Sequence, residues 1–526
     1  MRRRNYLFLI LIILSFHVFL NYQVLKKSNI IRMDDEGGTI IAGLNCYNII
    51  FLDHSIKLVN KLGFILGLHG QCHPRFVELA EALSWKALNL FKILDITSMI
   101  LVVNAIFFII LLGSVYGIGS IVYNRNVGIL SAALVSMFPL VFGHSRLAMR
   151  DFPLMCMVSL GFYLLLKAGK FSSSLYSVLS GVVFGLAQLT KETAFIFFLT
   201  PLIYYFTGSY SLDNKKKVLR NFIVTLACFL ILTGVVYFRL ENLHAFKIYF
   251  GKTCYIRNYP NFFYYLKNFI EITGPFILII SLPLFVQYLV NIKRREKILF
   301  VWFIIPIILF SITPNKAIRF LFPILPAFAL IVSSEIANIN LSKEFKKVFY
   351  IMLISISILQ YAFFNAGILD TKFKNPYFEA GILSVRKDKY LPEYMRLLDV
   401  FKKEAKNNNV SGNKNVVFLF NIREIYWPFW LDTWVYKMPF NVSNSLLVDE
   451  VDVINTYHVD WDKEILKADY IVNKTGFKER QDYRNHILDG LEKGFIKYKD
   501  RFELIADIKL LFDNSAVYVY KKVSHN

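Results

Sequence analysis

The chain consists largely of long apolar runs separated by short polar connections. A helix needs about 20 apolar residues to cross a bilayer, and about eleven runs approach or exceed this length. They occupy residues 6–20, 97–122, 126–144, 152–168, 174–189, 193–207, 219–238, 269–291, 298–313, 317–335 and 347–365. This pattern predicts a polytopic α-helical membrane protein with about eleven transmembrane helices.

Basic residues are concentrated in every second connection between these runs. They are Arg125; Lys167 and Lys170; Lys215, Lys216, Lys217 and Arg220; Lys293, Arg294, Arg295 and Lys297; and Lys343, Lys346 and Lys347. Because cytoplasmic loops of membrane proteins are enriched in Lys and Arg, the alternation predicts a cytoplasmic amino terminus. The membrane is then a plasma membrane, a bacterial inner membrane or that of the ER.

The loop after the first apolar run contains two stretches that are amphipathic rather than membrane-spanning. In the first outer loop, residues 23–96, the stretches 56–68 and 76–94 are too short or too interrupted to cross a bilayer and predict interfacial helices. In residues 76–94 the acids and lysines fall on one side, and Leu, Ala and Phe on the other.

An odd number of spans places the last part of the chain on the same, non-cytoplasmic side as this loop. Strand-like runs at 415–420, 469–472 and 516–521 are interleaved with polar helical stretches at 393–406 and 480–493. We therefore expect a transmembrane domain at residues 1–369 and an extracytoplasmic soluble α/β domain at residues 370–526.

Composition agrees with a membrane protein and argues against nucleic acid as a partner. Of the 526 residues, 56% are hydrophobic, and the formal net charge is +22. The basic residues lie in short clusters between apolar runs, as membrane topology requires, and form no continuous basic stripe. Cys46 and Cys72 share the first outer loop, where they either pair in an oxidising compartment or remain two free thiols.

Several cations lie in outer loops, where the topology rule disfavours them. They are Arg146, Arg150, Lys191, Lys316 and Arg319. One explanation is internal ion pairing, with Asp151 and Glu192 as the nearest acids in sequence. The other is an anionic ligand at the outer leaflet, for which a lipid phosphate is the obvious candidate.

Three adjacent acids, Asp34, Asp35 and Glu36, follow the first span on the same outer side. They either face water in a loop or have a functional role, because adjacent carboxylates repel one another and are costly to bury. A carboxylate opposite phosphate-binding cations suits glycosyl transfer from a lipid phosphate. The acid accepts the proton of the acceptor hydroxyl, and the cations stabilise the departing phosphate without a cofactor.

Five short motifs occur in a fixed order on the predicted outer side. They are Asp35-Glu36; His73-Pro74; Arg146 with Asp151; Gly185-Leu186-Ala187-Gln188-Leu189-Thr190-Lys191; and Arg319-Phe320-Leu321-Phe322-Pro323-Ile324-Leu325-Pro326. In these motifs the chain resembles the GT-C class of polyprenyl-phosphate-dependent glycosyltransferases, especially protein O-mannosyltransferases and the aminoarabinose transferase of lipid A. It departs from that pattern at Arg75, where family members often carry a second proline.

The resemblance implies a role for each matched residue. Asp35 is the expected base, with Glu36 positioning it or the acceptor, although a register in which Asp34 takes the part of Asp35 is also open. Lys191 and Arg319, with Arg146 and Lys316, are expected to bind the donor phosphate. His73 and Asp151 are expected to support the site.

These implications lead to an inverting glycosyltransferase. It moves one sugar from a polyprenyl monophosphate, dolichyl or undecaprenyl, to a hydroxyl of a protein or glycolipid on the non-cytoplasmic face. The position of the carboxy-terminal domain matches that of the family's outer domain, which implies a part in acceptor choice.

Other functions remain as alternatives. A transporter or flippase of lipid-linked sugars would explain the cations but not the acids beside them, and a polysaccharide polymerase or ligase would use a pyrophosphate donor. His69 and His73 with Cys72 suggest a divalent metal, but the sequence shows no fourth ligand, so no metal is predicted.

Overall fold

A computed structural model describes most of the membrane part of the chain and portions of its carboxy-terminal part. The described residues are 3–27, 34–52, 57, 75–93, 95–209, 215–237, 262–294, 296–313, 316–339, 342–365, 391–407, 414–418, 440–443, 465–474, 495–509 and 516–523. The chain divides into two compact units, one made of Met1–Asn29 and Gly38–Arg386 and the other of Ile30–Gly37 and Lys387–Asn526.

Helices make up the described part of the first unit. In chain order they are α1 (Arg3–Lys27), α2 (Asp34–Tyr47, whose residues 34–37 belong to the second unit), α3 (Phe76–Leu90), α4 (Ile96–Val122), α5 (Arg125–Ser136), α6 (Pro139–His144), α7 (Asp151–Lys167), α8 (Ser174–Gln188), α9 (Ala194–Ser209), α10 (Lys215–Tyr237), α11 (Tyr264–Lys267), α12 (Phe269–Thr273), α13 (Pro275–Val290), α14 (Lys297–Ile312), α15 (Leu325–Asn338) and α16 (Lys343–Asn365). A π-helical turn, Asn48–Leu52, continues α2, and 3₁₀ turns occupy Ile292–Arg294 and Ile318–Ile324.

Five helical segments in the described residues are long and apolar enough to cross a membrane. They are Asn5–Lys26, Ile96–Val122, Lys215–Gly234, Ile318–Asn338 and Glu344–Phe364. Shorter apolar helices lie at Ser174–Gln188, Ala194–Tyr204, Pro275–Val290 and Lys297–Ile312. These helices support an integral membrane protein, and the count of about eleven spans stays a prediction.

Two of the predicted runs are broken at a proline. In the run 126–144, Phe138 has an extended backbone, as expected of a residue before proline, and Pro139 then begins α6. In the run 269–291, Gly274 has a φ of +80°, a conformation that glycine adopts without strain, and Pro275 begins α13. The backbone therefore changes direction inside both apolar runs.

The side chain of Gln360 satisfies the backbone at the second break. Its Oε1 accepts hydrogen bonds from the backbone N–H groups of Phe276 (2.9 Å) and Ile277 (3.2 Å), and its Nε2 donates to the carbonyl of Thr273 (3.0 Å). Gln360 lies on α16 and is fully buried. Irregular backbone within a membrane is tolerated where such protein groups replace the missing hydrogen bonds.

Helix α3 buries both of its acids beside apolar residues such as Trp85. The acids Glu78 and Glu81 are buried, whereas Leu83 and Leu90 are 54% and 76% exposed. The reason lies in tertiary contacts, because Arg150 Nε donates to Glu78 Oε1 at 2.9 Å. The predicted interfacial helix at residues 56–68 lies outside the described residues, apart from Lys57.

The second unit contains helix α17 (Leu391–Asn407) and a five-stranded sheet. The strands are β1 (Lys414–Phe418), β2 (Phe440–Ser443), β3 (Tyr470–Lys474), β4 (Phe502–Lys509) and β5 (Ala516–Lys522), in the order β2-β1-β3-β5-β4. β1 pairs in parallel with β2 and β3, and β5 pairs antiparallel with β3 and β4. The central strands overlap the three strand-like runs in the sequence.

The two edge strands were not predicted, and both carry many polar residues. An edge strand is paired on one side only, and polar side chains there weaken the apolar pattern that identifies a strand. Helix α17 is joined to the sheet through Glu404, which pairs with Lys521 (2.8 Å) and accepts a hydrogen bond from the Tyr470 hydroxyl (2.8 Å).

A close contact between two glycines predicts where the membrane unit is least tolerant of added volume. A Cβ added at Gly119 of α4 would lie 2.6 Å from the Cα of Gly128 in α5. We expect Gly119→Ala to destabilise the protein by about 1–3 kcal/mol, because backbone must move to accept it. Thermal unfolding in detergent measures the effect.

The matched control is Gly113→Ala on the same helix, where an added Cβ meets no heavy atom within 4 Å. Alanine is favoured over glycine inside helices by roughly 0.5–1 kcal/mol, so this variant should be at least as stable as the parent. Equal unfolding temperatures for the two variants would contradict the packing argument.

Candidate active site

A buried ion pair joins two distant parts of the membrane unit. Asp151 is the first residue of α7, and Lys191 lies in the turn between α8 and α9. Lys191 Nζ is 2.5 Å from Asp151 Oδ1, and both side chains are buried. The amino-terminal end of a helix favours a carboxylate, so α7 itself helps to hold Asp151 ionised.

The 3₁₀ turn Ile318–Ile324 adds a second cation to this pair. Asp151 interacts electrostatically with Arg319 of that turn as well as with Lys191. The Lys191 ammonium also lies 5.1 Å from the centre of the Phe320 ring. Two of the cations that the sequence assigns to the donor phosphate, Lys191 and Arg319, therefore interact with the same carboxylate, that of Asp151.

His144 is a member of this cluster that the sequence analysis did not single out. It is the last residue of α6, is fully buried, and interacts electrostatically with Asp151, Lys191 and Arg319. Its ring stands edge-on to Phe322, with 4.5 Å between the ring centres. Its position two residues before Arg146 was the available signal, but an isolated histidine in an apolar run is commonly a packing residue.

Helix α3 is tied to the same end of α7. Arg150, adjacent to Asp151, forms an ion pair with the buried Glu78. The backbone N–H of Phe76 donates to the carbonyl of Leu189, two residues before Lys191, at 3.3 Å. Adjacent residues of opposite charge thus engage two different partners, and α3 is anchored beside the cluster.

The other two predicted phosphate-binding cations have partners within the protein. Arg146 is fully buried; its Nε donates to Asn21 Oδ1 (2.9 Å), and a terminal nitrogen donates to the Tyr361 hydroxyl (2.6 Å). Lys316 Nζ donates to the carbonyl of Thr313 at 2.6 Å. Through these contacts Arg146 connects α1 to α16. A phosphate-binding role for Arg146 and Lys316 stays a prediction.

Several predicted site residues cannot be placed against this cluster. Asp34, Asp35 and Glu36 form the first turn of α2, but their side chains lie outside the described residues. His73 lies outside them too, as do His69 and Cys72. Among the residues that are described, no group of three or more His, Cys, Asp and Glu side chains is arranged to hold a metal ion.

Two family models match successive parts of the chain. Residues 81–238 match the dolichyl-phosphate-mannose-protein mannosyltransferase model, and residues 258–375 match that of the Alg9-like mannosyltransferase family. The first match contains Arg146, Asp151 and Lys191, and the second contains Arg319. No curated protein matches the chain in sequence.

Solved structures of two glycosyltransferase types have the same fold. ArnT from Cupriavidus metallidurans in the apo state aligns over 97% of both chains with a TM-score of 0.61 and 11% identity. The same protein bound to undecaprenyl phosphate aligns over 99% of both chains, with a TM-score of 0.60 and 11% identity. The Archaeoglobus fulgidus oligosaccharyltransferase AglB, in complex with an inhibitory peptide and a dolichol-phosphate, aligns over 94% of this chain and 72% of its own, with a TM-score of 0.55 and 11% identity.

The family matches and the shared fold confirm the resemblance to GT-C glycosyltransferases. The two family models confirm the expected class of enzyme, a glycosyltransferase similar to mannosyltransferases. The motif pattern in the sequence had led to the same class.

The buried pair predicts that the loss of one charge destabilises the protein more than the loss of both. Removing one member of a buried ion pair costs about 3–5 kcal/mol, because the other charge is left without its partner. We therefore expect Asp151→Leu to unfold at a much lower temperature than the parent in detergent. Combining it with Lys191→Met should recover part of the loss.

Lys414 supplies the control for this comparison, because its ion pair with Asp469 is partly exposed (3.6 Å; side chains 42% and 31% exposed). Exposed pairs contribute roughly 0–1 kcal/mol, so Lys414→Ala should be nearly neutral. If Asp151→Leu were equally neutral, the pair would not hold the cluster together.

The contacts of Arg146 predict a structural effect that does not involve a ligand. Tyr361→Phe removes the hydroxyl that accepts its hydrogen bond but keeps the ring, whose centre lies 5.6 Å from the guanidinium carbon. Leaving a buried donor without its acceptor costs about 1–3 kcal/mol, so thermal stability should fall. The Michaelis constant for a lipid-phosphate donor should not change.

Tyr350→Phe on the same helix is the control, since the structure records no hydrogen bond to that hydroxyl among the residues it describes. It should leave stability near that of the parent. A Tyr361→Phe variant with full stability but weakened donor use would instead support a phosphate-binding role for Arg146.

Proposed function

We propose that this chain, a glycosyltransferase of the GT-C class, transfers one sugar from a polyprenyl monophosphate to a hydroxyl acceptor, with inversion at the anomeric carbon. The acceptor belongs to a protein or a glycolipid on the non-cytoplasmic face of the membrane. The observation that carries this proposal is the buried cluster in which Lys191 and Arg319 interact with the single carboxylate of Asp151.

The charges of this cluster suit a phosphate ester. Lys191 and Arg319 carry two positive charges against the one negative charge of Asp151, so the three residues have one positive charge in excess. A sugar phosphodiester carries one negative charge. In a buried site of low dielectric, this complementarity is worth more than in water, and cations already in place need no reorganisation as charge develops.

The known complexes of related folds support a lipid phosphate as the donor. ArnT was solved with undecaprenyl phosphate, and AglB with a dolichol-phosphate. The family model that covers Asp151 and Lys191 is that of the dolichyl-phosphate-mannose-protein mannosyltransferases. We infer that Lys191 and Arg319 bind the phosphate of such a donor.

The reaction itself needs a base and a stabilised leaving group. We assign the base to Asp35, which lies in the first turn of α2. Asp35 accepts the acceptor's hydroxyl proton, the acceptor oxygen forms a bond to the anomeric carbon, and the bond to the phosphate oxygen breaks. The electron pair stays on the polyprenyl phosphate, which departs as a dianion stabilised by Lys191 and Arg319.

Isosteric neutralisation of the base should separate chemistry from binding. We expect Asp35→Asn to lower release of free polyprenyl phosphate from a labelled polyprenyl-phosphate sugar by at least 100-fold, because general-base catalysis typically contributes 10²–10⁴-fold. Donor binding, measured separately by retention of the labelled lipid, should persist. Lys191→Met should weaken donor binding instead.

Asp34→Asn is the matched comparison, since it neutralises the preceding acid in the same way. A loss of activity in Asp34→Asn alone would transfer the base to Asp34. If the parent protein binds and moves the labelled lipid without cleaving the sugar–phosphate bond, the protein is a flippase and the enzyme proposal fails.

A further inference from the structure

His144 is a buried histidine whose hydrogen-bonding groups have no partner in the described parts of the chain. Its side chain is fully buried, and neither Nδ1 nor Nε2 forms a hydrogen bond there. Buried polar groups are almost always hydrogen-bonded, because a group left unsatisfied has lost its water contacts without replacement. This cost is avoided if a ligand supplies the missing partner.

The neighbours of His144 indicate the chemistry of that ligand. The imidazole interacts electrostatically with Lys191 and Arg319, the two cations assigned to the donor phosphate, and with Asp151. Phe322 packs edge-on against the ring and comes from the same 3₁₀ turn as Arg319. An anion bound by the two cations would therefore lie close to His144.

We propose that His144 is a third ligand of the donor phosphate, its ring N–H donating a hydrogen bond to a phosphate oxygen beside Lys191 and Arg319. A neutral imidazole has one N–H donor, and phosphate oxygens are strong acceptors. The hydrogen bond adds direction to the charge attraction of the two cations. This inference rests on the proposed function, because it adds a residue to the same phosphate site.

Burial alone does not carry the inference, as a second histidine shows. His17 on α1 is equally buried, and its ring nitrogens also lack partners in the described part of the chain. It stacks on Phe108 at 4.7 Å and stands edge-on to Tyr361, and its recorded charged neighbour is Arg146. His17 is surrounded by rings and has no place in the Lys191 cluster, so it is a matched control for the loss of a buried imidazole.

The test compares binding of undecaprenyl phosphate with binding of undecaprenol, which lacks only the phosphate. Full-length protein in detergent is titrated with each lipid, and the dissociation constants are measured. His144→Phe keeps an aromatic ring against Phe322 but has no N–H group. We expect it to weaken undecaprenyl phosphate binding about tenfold or more, as for a lost hydrogen bond to a charged group, and to leave undecaprenol binding unchanged.

Two further variants distinguish a ligand from a packing residue. His144→Gln restores an N–H donor and should recover part of the affinity for undecaprenyl phosphate, whereas His17→Phe should leave both dissociation constants unchanged. If His144→Phe does not fold, His144→Met provides the same loss of the N–H group with a side chain that adapts to irregular space.

The inference is overturned if removal of the N–H group leaves undecaprenyl phosphate binding intact, or if it weakens binding of both lipids equally. A failure of the proposed function looks different, because it shows in the parent protein. In that case the parent would bind undecaprenol and undecaprenyl phosphate with the same affinity, or would bind the labelled donor without cleaving its sugar–phosphate bond.

Discussion

The buried pair of Asp151 and Lys191 is the interaction that organises the membrane unit around its charges. Two ions out of water are tolerated only where each has a close partner, and here the ammonium and the carboxylate are 2.5 Å apart. The pair fixes the start of α7 relative to the turn between α8 and α9. Arg319 of the 3₁₀ turn interacts with the same carboxylate, so two cations are associated with Asp151. Preorganised cations of this kind are what the proposed stabilisation of a leaving phosphate needs.

The irregular backbone of this unit helps to bring the charged residues around Asp151 together. The proline-directed break begins the short helix α6, which ends at His144, and the 3₁₀ turn Ile318–Ile324 carries both Arg319 and the Phe322 ring. A continuous helix would place its side chains with a regular period along one axis. Short helices and turns instead bring groups from α6, α7 and the 3₁₀ turn into one cluster, while Gln360 satisfies the backbone at another break.

Charge also determines how α3 packs. Glu78 faces inward because Arg150 is available at the start of α7, and the apolar residues Leu83 and Leu90 are left exposed. The backbone hydrogen bond from Phe76 to Leu189 joins the start of α3 to the segment that carries Lys191. Helix α3 is thus bound to the same end of α7 as the charged cluster.

The sequence by itself determined the class of protein and the identity of the main charged residues. Apolar runs and the alternation of basic connections depend on local composition, so the membrane character was readable, and the ordered motifs that contain Asp151, Lys191 and Arg319 indicated the glycosyltransferase class. The central strands β1, β3 and β5 were readable for a similar reason, since buried strands are continuously apolar. The edge strands β2 and β4 were not readable from the sequence. Each is paired on one side only, and its polar side chains weaken the apolar pattern that identifies a strand.

Only the tertiary structure decided which charges are partners. Arg150 and Asp151 are adjacent in sequence, yet one pairs with Glu78 and the other with Lys191, 40 residues away. Arg146 is committed to Asn21 and Tyr361 on two distant helices, and His144 reaches the cluster from the end of a six-residue helix. Such contacts depend on helix packing and on breaks at Pro139 and in the 3₁₀ turn, and no local pattern in the sequence encodes them.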